Sequence, residues 1–397
     1  MKLLKDYIHI KHGYAFKGEY ISNVDNGVVL VTPGNFAIGG GFKEDKCKFF
    51  SSSYPAEFVL HPDDLVVTMT DLSKGIDTLG FSALVPNSRR IYLHNQRIGL
   101  VEILSPDIDK HYLYWFLRTH EYQRTIAGTS SGSTVHHTSP DRICSIEIDL
   151  PDISIQKAIA SVLDGIESKI NNNEQINDNL EQQAAAMFRE MFISQADPSW
   201  VEGTISDLGT VVGGSTPSKA KSEYYTEHGI AWITPKDLSV DKSKFISHGA
   251  DDITELGLQN SSASIMPKGT VLFSSRAPIG YMAIADGDVT TNQGFKSVVP
   301  HAHVGTAFVY YFLKNALPII EGMASGSTFK EISGSAMRTV PAIIPDEATL
   351  CKFSSFCDPL FRQQRTLENQ NRELASIRDT MLPKLMSGEI DISSIPL

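Results

Sequence analysis

Four groups of residues have the types and spacing to do chemistry, and each has a plainer reading beside it. Pro151-Asp152 followed by Glu167-Ser168-Lys169 matches a nuclease PD…ExK pattern, but its Glu and Lys fall in a long helical stretch rather than on a strand. Gly128 to Thr134 imitates a phosphate-binding loop without the lysine such a loop needs. His136-His137 has no carboxylate at ligand spacing, which favours a solvated loop pair or a DNA contact over a metal site. Cys47, Cys144, Cys351 and Cys357 form no CxxC, so they read as reduced thiols of a cytoplasmic protein. No G-x-G-x-x-G between strand and helix is found, no GxxxxGK[ST], and no Asn-Pro-Pro-aromatic run of a base-flipping methyltransferase. The expectation is a protein that catalyses nothing and holds no cofactor or metal.

What must position any working residue is a duplicated scaffold. With 397 residues, at least two domains are expected. Shifted by 194 to 205 residues, the landmarks recur in order. Val31-Thr32-Pro33 returns as Ile233-Thr234-Pro235, Pro62 to Val67 as Pro267 to Leu272, and Asn95-Gln96 as Asn292-Gln293. Tyr112 to Arg118 returns as Phe308 to Lys314, and Ser131-Gly132-Ser133-Thr134 as Ser325-Gly326-Ser327-Thr328. Short β-rich runs separated by Gly and Pro turns fill 1–150 and 197–345, with one helix late in each copy, around His111–Gln123 and Thr306–Leu317.

Each copy ends in a long helical stretch, 151–196 and 346–390, leaving 391–397 as a tail. Ile159, Ile166, Leu180 and Met187 share one heptad phase, as do Phe353, Leu360, Leu367, Leu374 and Met381, an apolar seam suited to pairing with another helix. Asn172, Asn173, Gln363, Gln364, Gln370 and Asn371 interrupt it, a common way of fixing register. Gly165 and Pro359 sit at matching places as potential breakers, where the proline either kinks the helix or, behind Asp358, starts a new one.

In Leu150-Pro151 with Ile155 to Ala160, in Asn177 to Leu180 with Met187-Phe188 and Met191-Phe192, and in Leu374 with Ile377 to Ile390, the chain resembles the specificity subunits of type I restriction–modification systems. The Gly-Ser-Thr loops and Asn-Gln pairs also fit, whereas the entry to the distal helix, Asp346 to Cys351, departs from the family's usual acidic and glutamine-rich form. The resemblance implies an α+β fold: two homologous mixed α/β target-recognition domains joined by two long antiparallel helices, a coiled-coil-like spacer with pseudo-two-fold symmetry. It also implies double-stranded DNA as ligand, each domain reading half of an interrupted target. Two methyltransferase subunits, and in the full complex restriction subunits, would assemble on the chain.

Positions that match between copies are expected to serve the fold or the phosphates, and positions that differ to read bases. The Ser-Gly-Ser-Thr loops are either tight turns or phosphate contacts. Next to them, His136, His137 and Thr138 stand against Phe329, Lys330 and Glu331. Lys17, Lys43, Arg89, Arg90 and Arg97 in the first copy, and Lys219, Lys221, Lys236, Arg276, Lys296 and Lys330 in the second, are the candidate cationic contacts, each more often a plain surface charge. Tyr14, Phe16, Tyr224 and Tyr225 read as core packing before stacking residues.

Charge sharpens this expectation. The net charge is −11, with 35 basic against 46 acidic side chains, and no apolar run is long enough to span a membrane. Residues 1–153 and 197–345 each sum to −3, so no acidic tail hides two basic domains. A competing reading is a protein-interaction scaffold or DNA mimic that engages partners through its acidic surface. Under the DNA reading, phosphate attraction is weak for the chain alone and partners must bring positive charge.

Overall fold

The structure is a computed structural model that describes residues 2–392 apart from 74, 133, 134, 277 and 327–329. It divides into two compact units, Met1–Lys169 with Glu373–Leu397, and Ile170–Arg372. In the first unit the valine-rich Val28–Val31 runs parallel to Ile91–His94 at the centre of a five-stranded sheet. An antiparallel four-stranded sheet orders Ile8–His12, Ile98–Ile103, Leu65–Thr68 and Ser82–Leu84. The second unit repeats the parallel pairing with Ile230–Ile233 beside Thr290–Thr291. Its five-stranded sheet places Gly209–Gly213, Lys296–Pro300, Val271–Ser275 and Ile279–Ala285 in order.

The late helix differs between copies. The expected His111–Gln123 helix is two, Lys110–Phe116 and His120–Gly128. Thr119 separates them: its hydroxyl donates to Phe116 O at the end of one and accepts from Tyr122 N at the start of the next. In the second unit a single helix runs Thr306–Met323, six residues beyond the expected end, with Pro318 inside it.

The long helices are continuous, Ile153–Arg189 and Glu347–Met386, through both expected breakers. Their 37 and 40 residues correspond to about 56 and 60 Å. Gly165 has open space where a Cβ would sit. Pro359 removes one amide donor, but Phe353, Cys357 and Phe361 on either side of it are buried in one core and carry the helix across. Asp346 accepts from Thr349 N (2.9 Å) and Trp200 Nε1 (3.1 Å), so the sequence that departs from the family's pattern still caps its helix.

The heptad phase named from sequence is half of the inward stripe. Ile159, Phe353 and Leu367 are buried, whereas Ile166, Leu180, Met187, Leu360, Leu374 and Met381 are half-buried. A second phase faces inward too, with Leu163, Ile170 and Ala184 on one helix and Cys357, Gln364 and Leu385 on the other. Of the polar interruptions, Asn173 and Gln364 are buried and Asn371 half-buried, while Asn172, Gln363 and Gln370 face solvent. Asn173 Nδ2 donates to Asn371 Oδ1 (2.8 Å), Asn371 Nδ2 to Ile170 O (3.3 Å) and Gln364 Nε2 to Asn177 O (3.2 Å). Residue numbers rise on one helix as they fall on the other, which makes the pairing antiparallel in this unit.

In each unit a glutamate of the first long helix sits between two cations. Glu167 meets Arg118 (3.4 Å) and Arg378 (2.6 Å), and Arg118 stacks over the Trp115 ring (4.3 Å). Glu181 meets Lys314 (2.6 Å) and the buried Lys244, which also donates to Gln364 Oε1 (2.8 Å) and Tyr311 Oη (3.1 Å). Burial would raise the Glu181 carboxyl, but the two lysines outweigh it and bring it down to about 2.

His111 is a further tie. Its Nδ1 lies 2.7 Å from Asp164 Oδ2 and its Nε2 3.4 Å from Asp63 Oδ1, while Trp115 Nε1 donates to the other Asp164 oxygen (2.8 Å). Hydrogen bonding to Asp164 raises the imidazole pKa, and partial burial opposes it less strongly. A raised folded-state pKa means that stabilisation is fully present below about 6.5 and is lost as pH rises through the folded value. The melting temperature should therefore fall between pH 6 and 8 relative to that of His111→Gln, which lacks this slope; parallel profiles would refute the tie.

Candidate nucleic-acid interface

Three of the five recurrent landmarks, far apart in sequence, meet at one place in each unit. In the first, the strands Val28–Val31 and Ile91–His94 end side by side, delivering Thr32-Pro33 and Asn95-Gln96 together. Asn95 Oδ1 accepts from Arg97 N (3.0 Å) and holds that turn. Arg97 O accepts from Met69 N (2.9 Å), and Met69 O accepts from Thr138 N (3.0 Å), which brings in the Ser131 hairpin. In the second unit Asn292 N donates to Ile233 O (3.0 Å) and Asn292 Oδ1 accepts from Gly294 N (2.8 Å). Gly294 O accepts from Ser275 N (2.7 Å) and Ser275 O from Ile332 N (3.1 Å), the same relay.

The hairpins match. Ser131 and His137 exchange both backbone hydrogen bonds (3.0 and 2.9 Å), and so do Ser325 and Glu331 (3.1 and 2.9 Å). Gly132 (φ 106°) and Gly326 (φ 130°) take positive φ at the same place. Ser133, Thr134, Ser327, Thr328 and Phe329 lie outside the described residues. The ladders correct one alignment: His137 corresponds to Glu331 and Thr138 to Ile332, so His136 stands against Lys330, one residue away from the register read in the sequence.

The cationic candidates do not form one group. Arg90 is committed to Asp25 (2.6 Å) and Glu44 (3.0 Å), and Lys43 approaches Asp45 (3.9 Å). Arg90 and Arg97 line a cleft of about 930 Å³ with Thr32, Asn95 and Gln96, whereas Lys17 and Arg89 are exposed elsewhere on the unit. In the second unit Lys219 stands 6.0 Å from the Trp232 ring, Lys221 donates to Tyr224 Oη (2.9 Å), and Lys236 is exposed on the helix Pro235–Val240. Arg276 and Lys296 each lie 3.7 Å from Glu331, beside the hairpin, and Lys330 is exposed within it. Of the aromatics, Phe16 and Tyr224 are buried, Tyr225 is half-buried and Tyr14 is exposed.

Several residues at this edge escaped the sequence reading. Thr70 Oγ1 bonds His137 Nδ1 (3.1 Å), and Arg142 Nη1 reaches Ser131 Oγ (3.5 Å) and His137 O (3.4 Å). Buried Asp71 accepts from Ser73 N (2.6 Å), Thr78 N (2.5 Å) and Thr78 Oγ1 (2.7 Å). Burial would raise its carboxyl, but these donors hold it below the usual range. Only the copy alignment Met69-Thr70 to Ser275-Arg276 could have flagged Thr70. His136 Nδ1 and Thr138 Oγ1 are buried without a hydrogen-bond partner among the described residues.

The enzymatic alternatives lose their groups. Glu167 of the nuclease pattern is held by two arginines, while Lys169 faces solvent. Among the described residues no three His, Cys, Asp or Glu are placed to hold a metal, and no helix is long and apolar enough to cross a membrane.

The type I restriction modification DNA specificity domain matches residues 2–182 and 198–375, and the chain belongs to that family, whose members are non-catalytic DNA-recognition components. It is 38% identical over 195 residues to the MjaIX specificity subunit of Methanocaldococcus jannaschii, an alignment covering 48% of this chain and 44% of that one. It is 24% identical over 386 residues to the HindI specificity subunit of Haemophilus influenzae, covering 77% and 83%. The solved type I restriction–modification S subunit from M. genitalium shares the fold, with a TM-score of 0.59 at 18% identity over 97% of this chain and 95% of that one.

Proposed function

We propose that this chain selects a bipartite, interrupted target on double-stranded DNA, residues 1–150 reading one half and 197–345 the other. The helices 151–196 and 346–390 are the spacer on which two methyltransferase subunits, and restriction subunits in the complete system, assemble; 391–397 is a tail. The observation that carries this reading is the convergence of the same three landmark loops in both units, with matching backbone relays and different side chains. Shared backbone suits sequence-blind positioning, and unlike side chains suit two unlike half-sites. Ser131, Gly132, Ser325 and Gly326 would approach phosphate, and Arg97, His136, His137, Arg276, Lys296 and Lys330 would face the groove.

The net charge of −11 makes the methyltransferase a required source of phosphate affinity. The test is to combine the chain with its methyltransferase and map the methylated adenines of a genome. The expected result is an interrupted, asymmetric consensus, one half of which changes when 1–150 is exchanged for another reader. Random methylation, or change in both halves, would overturn the reading.

A further inference from the structure

The cross-strand contact beside each hairpin occupies one structural position with two chemistries. In the first unit it is Thr70 opposite His137, joined Oγ1 to Nδ1 at 3.1 Å. In the second it is Arg276 opposite Glu331, an ion pair of 3.7 Å with Lys296 at 3.7 Å on the other carboxylate oxygen. The equivalence does not depend on sequence similarity. Each pair follows the residue, Met69 or Ser275, that bonds both the Asn-Gln turn and the strand after the hairpin.

We infer that Thr70–His137 and Arg276–Glu331 are matched specificity-determining pairs, placed alike on the two half-sites and unlike in what they accept. The inference rests on the DNA-reading function proposed above. Three observations carry it. The pairs lie against two of the landmarks that the copies share, the Asn-Gln turn and the hairpin, so they keep one placement relative to any phosphate those landmarks hold. The hairpin residues are reachable, His137 exposed and Arg276 and Glu331 each 38% exposed at the side chain. The ion pair is too long for a hydrogen bond, which leaves guanidinium donors and carboxylate lone pairs free for a base edge.

The chemistry then sorts by unit. Arg donates to guanine O6 and N7, and a carboxylate accepts from cytosine N4. The second unit thus specifies a G·C pair at this position. Thr and His form a smaller pair whose donors and acceptors turn with the imidazole tautomer, a preference of a different kind.

The experiment uses the full chain with its methyltransferase and genome-wide methylation mapping. Glu331→Gln, nearly isosteric, should move preference at one position of the second half-site from cytosine toward adenine, since Gln reads adenine. The shift expected is roughly 5- to 150-fold in relative methylation, the span of one bidentate base contact. Exchanging the pairs, Thr70→Arg with His137→Glu, should change the first half-site at one or two adjacent bases and leave the second unchanged. The untouched half-site reports folding internally. Uniformly slower methylation with an unaltered consensus from both variants would overturn the pair assignment alone. Failure of the parent complex to yield any interrupted consensus would instead overturn the function on which it rests.

Discussion

Replacing Glu181 by glutamine should destabilise the second unit by about 3–5 kcal/mol at pH 7, the usual cost of removing one partner from a buried ion pair. The side chain of Lys244 is only 6% exposed, and with Glu181 gone it keeps a charge that Gln364 Oε1 and the tyrosines solvate only in part. At about 2–4 °C per kcal/mol for a unit of this size, the melting temperature should fall by roughly 6–20 °C.

The pH dependence identifies the cause. Burial already lowers the Lys244 pKa, and the carboxylate counteracts it. Without the carboxylate the folded-state value falls further below the unfolded one. The unfolded chain then binds more protons, and stability rises with pH as Lys244 deprotonates in the fold. The gap between variant and parent should narrow from pH 7 to 9.5. Pairing Glu181→Leu with Lys244→Met should recover most of the loss, because two apolar groups need no compensation. A Glu181→Gln protein that melts with the parent would show that the network contributes nothing.

Phe353→Ala should cost about 3–5 kcal/mol, the range for emptying a buried phenylalanine site. Its ring lies 5.2 Å from Phe192, 5.9 Å from Phe188 and 6.1 Å from Tyr311, inside the core that joins the second long helix to the sheet. Leu374→Ala, in the same heptad phase three heptads later, should cost about 1–1.5 kcal/mol, since the residue is half-buried and part of its surface already meets water. Denaturant titration of both variants reads the difference directly. Equal losses would mean that the seam is uniformly packed.

That contrast also shows what a heptad pattern can say. Period 3.5 identifies a face, and Phe353 and Leu374 are equivalent to it. Depth depends on what else packs there, and only the sheet and the helix Thr306–Met323 supply that for Phe353. The same limit hid the second inward phase: the pattern marks Gln364 and Asn371 only as polar interruptions of the seam, and their partners Asn177 and Asn173, like Glu167 for Arg378, come from the other long helix. Of the two outcomes open at Pro359, a new helix behind Asp358 is excluded: both residues lie inside one continuous helix, held across the proline by burial on either side.

The sequence by itself determined the duplication, the two long helices, the landmark loops and the family, because ordered recurrence and periodicity are properties of the chain alone. The tertiary structure decided which landmarks touch. Strand pairing joins His94 to Val31 and Thr70 to His137 across 63 and 67 positions, and no local pattern encodes such contacts. It also moved the alignment of the two hairpins by one residue, since backbone hydrogen bonds set register where side chains had been compared by type. That single step matches Glu331, which faces Arg276, to His137 of the first copy, and an acidic residue in a protein of net charge −11 becomes a candidate reader of bases.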